Sequence, residues 1–351
     1  MREADPPPTE DRPPSPAFGG APTIRDVARL AAVSIGTASK ALNAGGRLSQ
    51  QTRDKVQRVA REIGYRPNDL AQSLHRAKSR TIGIISNDSF GRFTFPIVEA
   101  LEERLAEEGI AVFMCNATDD PARERQHLDQ LLGKRIDGLV VTARRADKRP
   151  PIGPLAHDLP VVYVFSQADD PRALALLPDD EGGAFEAVAH LTALGRRRIA
   201  HVTGPEHFEA VRLRHRGYLG ALAAAGLPAL DGFYAAGTWS EAWGRAAAAR
   251  LFAGADRPDA LFCGNDQVAR GAADMLREMG LAVPGDVAIV GFDNWDVMAL
   301  AARPPLSSVD MNLKALGREA GESLLAMISG RTLSGVRRRP CSLVVRESSR
   351  P

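Results

Sequence analysis

The sequence predicts an α/β protein: an all-α helix-turn-helix module with a hinge helix, followed by two doubly wound α/β subdomains. Three observations predict it. Residues 23–64 carry three short apolar stripes at helical spacing. From Thr81 onward, short β-branched runs alternate with helical segments, the pattern of parallel sheets with helices on both faces. The 351 residues are too many for one compact core of ordinary size, so two or three folding units are expected.

Composition and charge narrow the class. Hydrophobic residues at 44% and charged residues at 25% are the proportions of a soluble globular protein. No run of about 18 apolar residues occurs, which excludes a spanning helix. The N-terminal MREADPPPTEDRPPSP has no apolar core of a secretory signal, so a cytoplasmic protein without a membrane partner is expected. Cys115, Cys263 and Cys341 lie far apart and are odd in number, against a disulfide framework or a paired CxxC zinc site. The net charge of +2 hides a division. Residues 1–22 hold 2 basic and 4 acidic side chains, residues 23–80 hold 12 and 4, and residues 81–351 carry the remaining −4. A basic module of +8 on an acidic body fits a polyanionic partner.

Taken in order, residues 1–22 contain seven prolines and read as a disordered tail, because so little apolar surface cannot offset the entropy of ordering. Ile24, Val27, Ala28 and Ala31 stripe the first helix. Ser34 is placed to cap a second helix, Ile35 to Leu42, which Asn43-Ala-Gly-Gly stops. Ser49 opens a third, with Val56, Val59, Ala60 and Ile63 inward and Gly64 at its end. The link Ala32-Val33-Ser34 has the length of a helix-turn-helix connection. Pro67 then breaks the third helix, and Asn68 can cap a helix of about two turns, too short to be stable alone. An element that is helical only conditionally suits a switch.

The body begins with TIGIIS (81–86), a helix over 97–108, IAVFMC (110–115), a helix over 122–134, IDGLVV (136–141) and VVYVF (161–165). A second set follows: a helix over 182–194, RIAHVT (198–203), helices near 212–225 and 240–253, DALFCG (259–264), a helix over 266–279 and VAIVGF (287–292). Two such sets imply two similar subdomains with a ligand cleft at the carboxyl ends of the strands.

The stretch Thr23-Ile-Arg-Asp-Val-Ala-Arg-Leu-Ala-Ala-Val-Ser-Ile-Gly-Thr-Ala-Ser-Lys-Ala-Leu-Asn43 resembles the N-terminal signature of the lactose-repressor (LacI/GalR) family of bacterial transcription regulators. Thr52-Arg53, Gly64-Tyr65-Arg66-Pro67-Asn68, and Ala71 with Leu74 extend the match. In the body, Val202-Thr-Gly-Pro205, Arg214-x-x-Gly217, Gly264-Asn-Asp-Gln267 and Val290-Gly-Phe-Asp293 fall in the family's order. The resemblance implies a sequence-specific DNA-binding transcriptional regulator, by expectation a repressor, that acts as a homodimer on a pseudo-palindromic double-stranded operator. A small molecule, a sugar or derivative, bound between two core subdomains of periplasmic-binding-protein type would control it. The implied domains are the tail (1–22), the helix-turn-helix domain (23–66), the hinge (67–80) and the core (81–351). The core's subdomains are 81–177 with 310–339 and 178–309 with 340–351, crossing near Pro178, Asp310 and Pro340.

The resemblance also assigns residues. Ile35, Gly36 and Lys40 fall at base-reading positions, and only Lys40 can reach a guanine acceptor edge; Ile35 offers a thymine methyl an apolar contact. Ser34, Thr37, Asn43, Thr52 and Tyr65 match phosphate-contacting positions, which fix register. Thr23, Asn68 and Ala71 complete the set, and Leu74 would wedge into the minor groove and kink the duplex. Bland alternatives stand beside these: Ser34 as a simple cap, Tyr65 as packing, Leu74 as a contact with the body. Arg214, Asn265 and Asp293 match effector-holding positions, a chemistry suited to hydroxyls and ring oxygens. Trp239 offers a flat apolar face or is a core residue. Asn87 and Phe93 should roof the cleft. Phe165 stands where sugar-responsive members often carry aspartate; Asp179 or Asp180 could compensate, although both read better as caps of the helix starting near Glu181.

An enzyme, or a sugar- or nucleoside-binding α/β protein without a DNA role, is the competing reading. No GxxxxGK[ST], HExxH or GxSxG motif occurs, and the seven histidines lack metal-ligand spacing. No catalytic residue, metal or cofactor is expected. His201 and His207 are placed where catalysis is conceivable, but a buried or solvated histidine is the favoured reading of both. The chain ends soon after Arg346, without leucine heptads, so a dimer is expected rather than a tetramer.

Overall fold

The computed structural model describes residues 21–43, 47–65, 79–155 and 159–350. All but the last two residues of the 1–22 tail lie outside the described residues, as do the hinge positions Asn68, Ala71 and Leu74. The chain divides into two compact units, Met1–Ala77 and Lys78–Pro351.

In the first unit, α1 spans Ile24–Leu30, α2 Ile35–Leu42 and α3 Gln50–Glu62. Each opens on a hydroxyl residue, because the first backbone N–H groups of a helix need an acceptor. Asp26 accepts from Thr23 N at 3.0 Å and from Thr23 Oγ1 at 2.7 Å. Ser34 Oγ accepts from Thr37 N at 3.1 Å, and Ser49 Oγ from Thr52 N at 3.2 Å. Val27, Ala28, Ala31, Ala38, Ala41, Val56, Val59 and Ala60 form the small core. Its alanines let the three helices approach closely. The turn between α1 and α2 places Ala32 at φ +52°, in the left-handed region.

The second unit holds two six-stranded sheets. The first contains β1 (Thr81–Ser86), β2 (Ala111–Asn116), β3 (Gly138–Thr142), β5 (Val161–Val164), β7 (Leu174–Pro178) and β13 (Gly335–Arg339), in the order β13-β7-β5-β3-β1-β2 and all parallel. The second contains β8 (Ile199–Thr203), β9 (Tyr234–Ala236), β10 (Ala260–Cys263), β11 (Ala288–Phe292), β12 (Ser307–Asp310) and β14 (Ser342–Val344), in the order β14-β12-β11-β10-β8-β9. Only β14 runs antiparallel to its neighbour. A short pair, β4 (Lys148–Arg149) with β6 (Gln167–Ala168), sits apart. The helices are α4 (Thr94–Ala106), α5 (Pro121–Gly133), α6 (Asp180–Ala193), α7 (Glu209–Ala224), α8 (Glu241–Leu251), α9 (Asp266–Glu278), α10 (Asp296–Ala299) and α11 (Leu313–Ile328).

Strands buried on both faces explain the near-continuous apolar runs. In β1, Ile82 and Ile84 face one core cluster and Ile85 the opposite one. The cluster on one face of each sheet is shared: Ile97, Leu176 and Leu316 of the first lobe pack in one body with Tyr218, Phe262 and Phe292 of the second. The chain passes between lobes three times, from β7 into α6, from β12 into α11, and from β13 into β14.

Some elements differ from the sequence expectation. Helix α4 begins at Thr94 rather than residue 97, because Asp88 accepts from the backbone N of Phe93 at 3.0 Å and of Thr94 at 3.2 Å. Helix α11 and strands β7, β9, β12, β13 and β14 were not anticipated from the apolar pattern. β12 is serine-rich yet buried: Ser308 Oγ donates to Asp266, and Ser307 Oγ donates to Arg346 O at 3.0 Å. Among the described residues no helix is long and apolar enough to cross a membrane, and no group of three or more His, Cys, Asp or Glu could hold a metal ion.

Candidate functional site

On the helical module, α2 presents an outward face. Ile35 is 49% exposed, and Gly36 and Lys40 are exposed beside it. Lys40 has no acidic partner among the described residues. A Cβ on Gly36 would approach only Ser34 Oγ, at 3.9 Å, so packing does not require glycine there. Its effect is a flat stretch of helix between Ile35 and Thr37. Ser34 caps α2 and its hydroxyl also bonds that of Thr37 at 2.9 Å, while the Thr52 hydroxyl bonds Ser49, the cap of α3, at 2.8 Å. Asn43 Nδ2 donates to Ser39 Oγ at 3.3 Å, and Tyr65 packs against the small core, where burial pushes its hydroxyl pKa up.

In the core, the carboxyl ends of the parallel strands of both sheets meet around a cavity of about 860 Å³. That is where an open α/β sheet leaves room for a ligand, since loops rather than side chains fill the strand ends. Phe93, Phe165, Arg214, Trp239, Asn265 and Asp293 all line it. Phe93 and Phe165 stack with centroids 4.8 Å apart and planes at 23°, making the first lobe's wall aromatic. Trp239 lies against Gly204, whose absent Cβ would stand 2.2 Å from the indole. Asn265 caps α9, its Oδ1 accepting from Val268 N at 2.8 Å. Phe165 and Asp293 follow strands with left-handed backbone, φ +52° and +99°, the local strain that functional positions often retain.

The charged groups form a chain. Arg214 donates from Nη1 to Gly264 O at 2.5 Å, and its guanidinium lies 3.7 Å from the Phe292 ring centroid. Asp180 Oδ1 accepts from Arg214 Nε at 2.8 Å, and burial pushes the Asp180 carboxyl upward against the pull of that arginine. Asp293 lies between two arginines: Arg214 Nη1 is 3.7 Å from its Oδ1, while Arg92 Nη2 pairs with its Oδ2. Arg92 comes from the first lobe, between β1 and α4, and Asp293 from the second. It also donates to Gln267 Oε1 at 3.3 Å and lies between the Phe93 and Trp295 rings, 4.6 and 4.5 Å from their centroids. Burial lowers its pKa to about 10. Behind it, buried Asp266 accepts from Trp295 N at 2.7 Å and Ser308 Oγ at 2.5 Å, and burial pushes its carboxyl up to about 6.

Asn87 lies elsewhere. It lines an adjoining cavity of about 1090 Å³, donating from Nδ2 to Glu124 at 3.4 Å, while Arg149 grips the same carboxylate at 2.8 and 2.5 Å. Asp179 and Asp180, both expected to cap α6, divide the work. Asp179 caps, accepting from Gly182 N at 3.1 Å, whereas Asp180 turns into the cleft. Arg92 and Trp295 carry no signal in the sequence, and Gln267 enters there only as the last residue of the Gly264-Asn-Asp-Gln267 motif. His201 is fully buried in the second lobe, its ring 4.8 Å from that of Phe262, and does not face the cleft.

Comparison with known proteins bears on both units. The model of bacterial regulatory proteins, lacI family, matches residues 23–68, and that of the periplasmic binding protein-like domain matches residues 188–349. The HTH-type transcriptional repressor CytR of Escherichia coli (strain K12) is 32% identical over 94% of this chain and 97% of its own. Among solved structures, the lac repressor dimer bound to operator and the anti-inducer ONPF has a TM-score of 0.76 at 27% identity, covering 94% of this chain and 99% of that one. The complex of the transcriptional regulator CelR with cellobiose has a TM-score of 0.65 at 30% identity, covering 93% and 100%.

Proposed function

Because the chain belongs to the lacI family of bacterial regulatory proteins, we propose that its cleft binds a small sugar-like effector that sets how tightly a homodimer holds its operator. The chain is a DNA-binding transcription regulator and not an enzyme. The proposed mode is repression in the cytoplasm, on a pseudo-palindromic site, with α2 in the major groove. Lys40 reads a purine edge, Ile35 an apolar base edge, and Ser34, Thr37, Asn43, Thr52 and Tyr65 hold the backbone. Leu74 and its neighbours in the 67–80 segment act at the operator centre.

One observation carries the effector reading. Arg214, Asn265 and Asp293, far apart in sequence, converge with Trp239 on a single cavity at the strand ends. A guanidinium, an amide and a carboxylate around an indole suit a ring bearing oxygens. Binding there changes the relation of the two lobes, and coupling to the DNA module follows by linkage.

Selection of duplexes from a random pool by the full-length protein tests the DNA half. It should enrich a two-fold sequence whose affinity falls steeply with salt. Absence of any enriched two-fold sequence overturns it. A thermal-shift screen of sugars, polyols and nucleosides, repeated on Arg214→Ala, tests the other half, since a ligand of the folded core raises its apparent stability. A shift that survives in Arg214→Ala counts against the cleft.

A further inference from the structure

We propose that the effector of this cleft is an acid, a ring compound carrying a carboxylate or phosphate that pairs with Arg92. The proposal rests on the reading of the cleft as the effector site. Its basis is a pair of buried Arg92 nitrogens at the cavity that make no hydrogen bond among the described residues.

The carboxylates are engaged in part. Asp293 Oδ2 holds Arg92, and its Oδ1 faces Arg214. Asp180 holds Arg214. Asp88 accepts the backbone N–H groups of Phe93 and Thr94, and Asp147 that of Glu209 at 2.7 Å. A neutral polyol could donate to the lone pairs these carboxylates keep, but it brings no charge to match the guanidinium of Arg92.

Donors remain open. Arg92 Nε and Nη2 are both buried and make no hydrogen bond among the described residues, Nη2 standing against Asp293 only as an ion pair. Arg145, also lining the cavity, stands 3.9 Å from Asp147 and rests on the Phe208 ring. An entering anion accepts from the open nitrogens of Arg92, and Asp293 beside it accepts from the ligand's hydroxyls. The aromatic wall of Phe93, Phe165 and Trp239 receives the ring. Bidentate pairing with a planar or tetrahedral oxyanion is what a guanidinium does best.

Isothermal titration of the full-length protein at fixed ionic strength, with matched pairs, tests this. D-glucose is set against D-glucuronate and glucose 6-phosphate, D-galactose against D-galacturonate, and D-ribose against ribose 5-phosphate. An acid should bind at least about tenfold tighter than its neutral parent, and Arg92→Met should remove that preference, a change of about 1.4 kcal/mol or more. Arg92→Lys, which keeps the charge but not the fork, should retain part of it. The carboxylate and phosphate arms say which anion is bound. Neutral parents binding as tightly as their acids, no acid binding, or an acid preference intact in Arg92→Met each overturns the proposal. If a neutral sugar binds and is lost in Arg214→Ala but not in Arg92→Met, the acid is wrong and the cleft right. If binding survives in both variants, both readings fail.

Discussion

Arg214 holds one oxygen of Asp180 with two nitrogens, Nε at 2.8 Å and Nη2 at 2.7 Å, and neither side chain is more than 5% exposed. Asp180 is the first residue of α6, just past the chain's first passage between lobes, so the arginine facing the cavity is anchored to that passage. Removing the carboxylate leaves a buried guanidinium short of a partner, at a cost of about 3–5 kcal/mol. Asp180→Ala should lower unfolding stability in urea by that order, and Asp180→Asn by less. A loss below about 1 kcal/mol in Asp180→Ala would show that Gly264 O, Phe292 and Asp293 hold Arg214 without it.

His201 gives the second lobe a dependence on pH. Burial holds its pKa well below the ordinary 6.5, with His215 and Arg214 adding to the effect, and its Nε2 has no partner among the described residues. The native ring stays neutral while the unfolded chain takes up a proton below pH 6.5. The contribution is therefore fully present above that value and is lost as pH falls, at about 1.4 kcal/mol per unit. His201→Phe should gain on the wild type by roughly that slope between pH 6 and pH 5 in urea titrations. Parallel pH profiles for the two proteins would refute it.

Ala32 adopts φ +52° in the turn of the helix-turn-helix, a conformation in which a Cβ is strained. Ala32→Gly should stabilise the DNA-binding module by about 1 kcal/mol, since relief of that strain exceeds the added flexibility of the unfolded chain. Proteolytic protection of the module measures it. Faster cleavage of the variant would contradict the expectation.

Lys40 and Ile35 divide the proposed base reading. Lys40→Ala should weaken operator binding by about 1–3 kcal/mol and relax selection at one base pair in each half-site. Repeating the duplex selection with the variant reads this directly. A uniform loss over all sequences, with a shallower salt dependence, would move Lys40 to the phosphate-contacting group.

The parts of the molecule legible in the sequence share one property: their signal is local. The helix period of Val56, Val59 and Ala60, the capping hydroxyls Ser34 and Ser49, and the apolar runs of β1, β3 and β10 each depend on residues within a few positions. What escaped depends on distance. Nothing around Arg92 distinguishes it from a surface arginine until Asp293 and Trp295 are folded against it. Asp179 and Asp180 form a tandem before a helix, and only one can cap; burial decides which, and burial is tertiary. β12 was missed because a strand of serines looks like a loop until Arg346 and Asp266 supply its hydroxyls with partners. Phe165 is a middle case. Its place at a strand end could be read, but its stacking on Phe93 could not.

The three passages between lobes mean that neither lobe is a continuous stretch of chain. Cutting the gene at any single point cannot release one of them intact, since residues 81–177 alone would lack α11 and β13, and a nicked passage would still leave two covalent links. A protease that cuts one passage should therefore yield two bands on a denaturing gel but a single particle by size exclusion. The same triple link acts as a bearing. Any turn of one lobe against the other must twist three backbone segments together, which restricts the motion to a few shared axes.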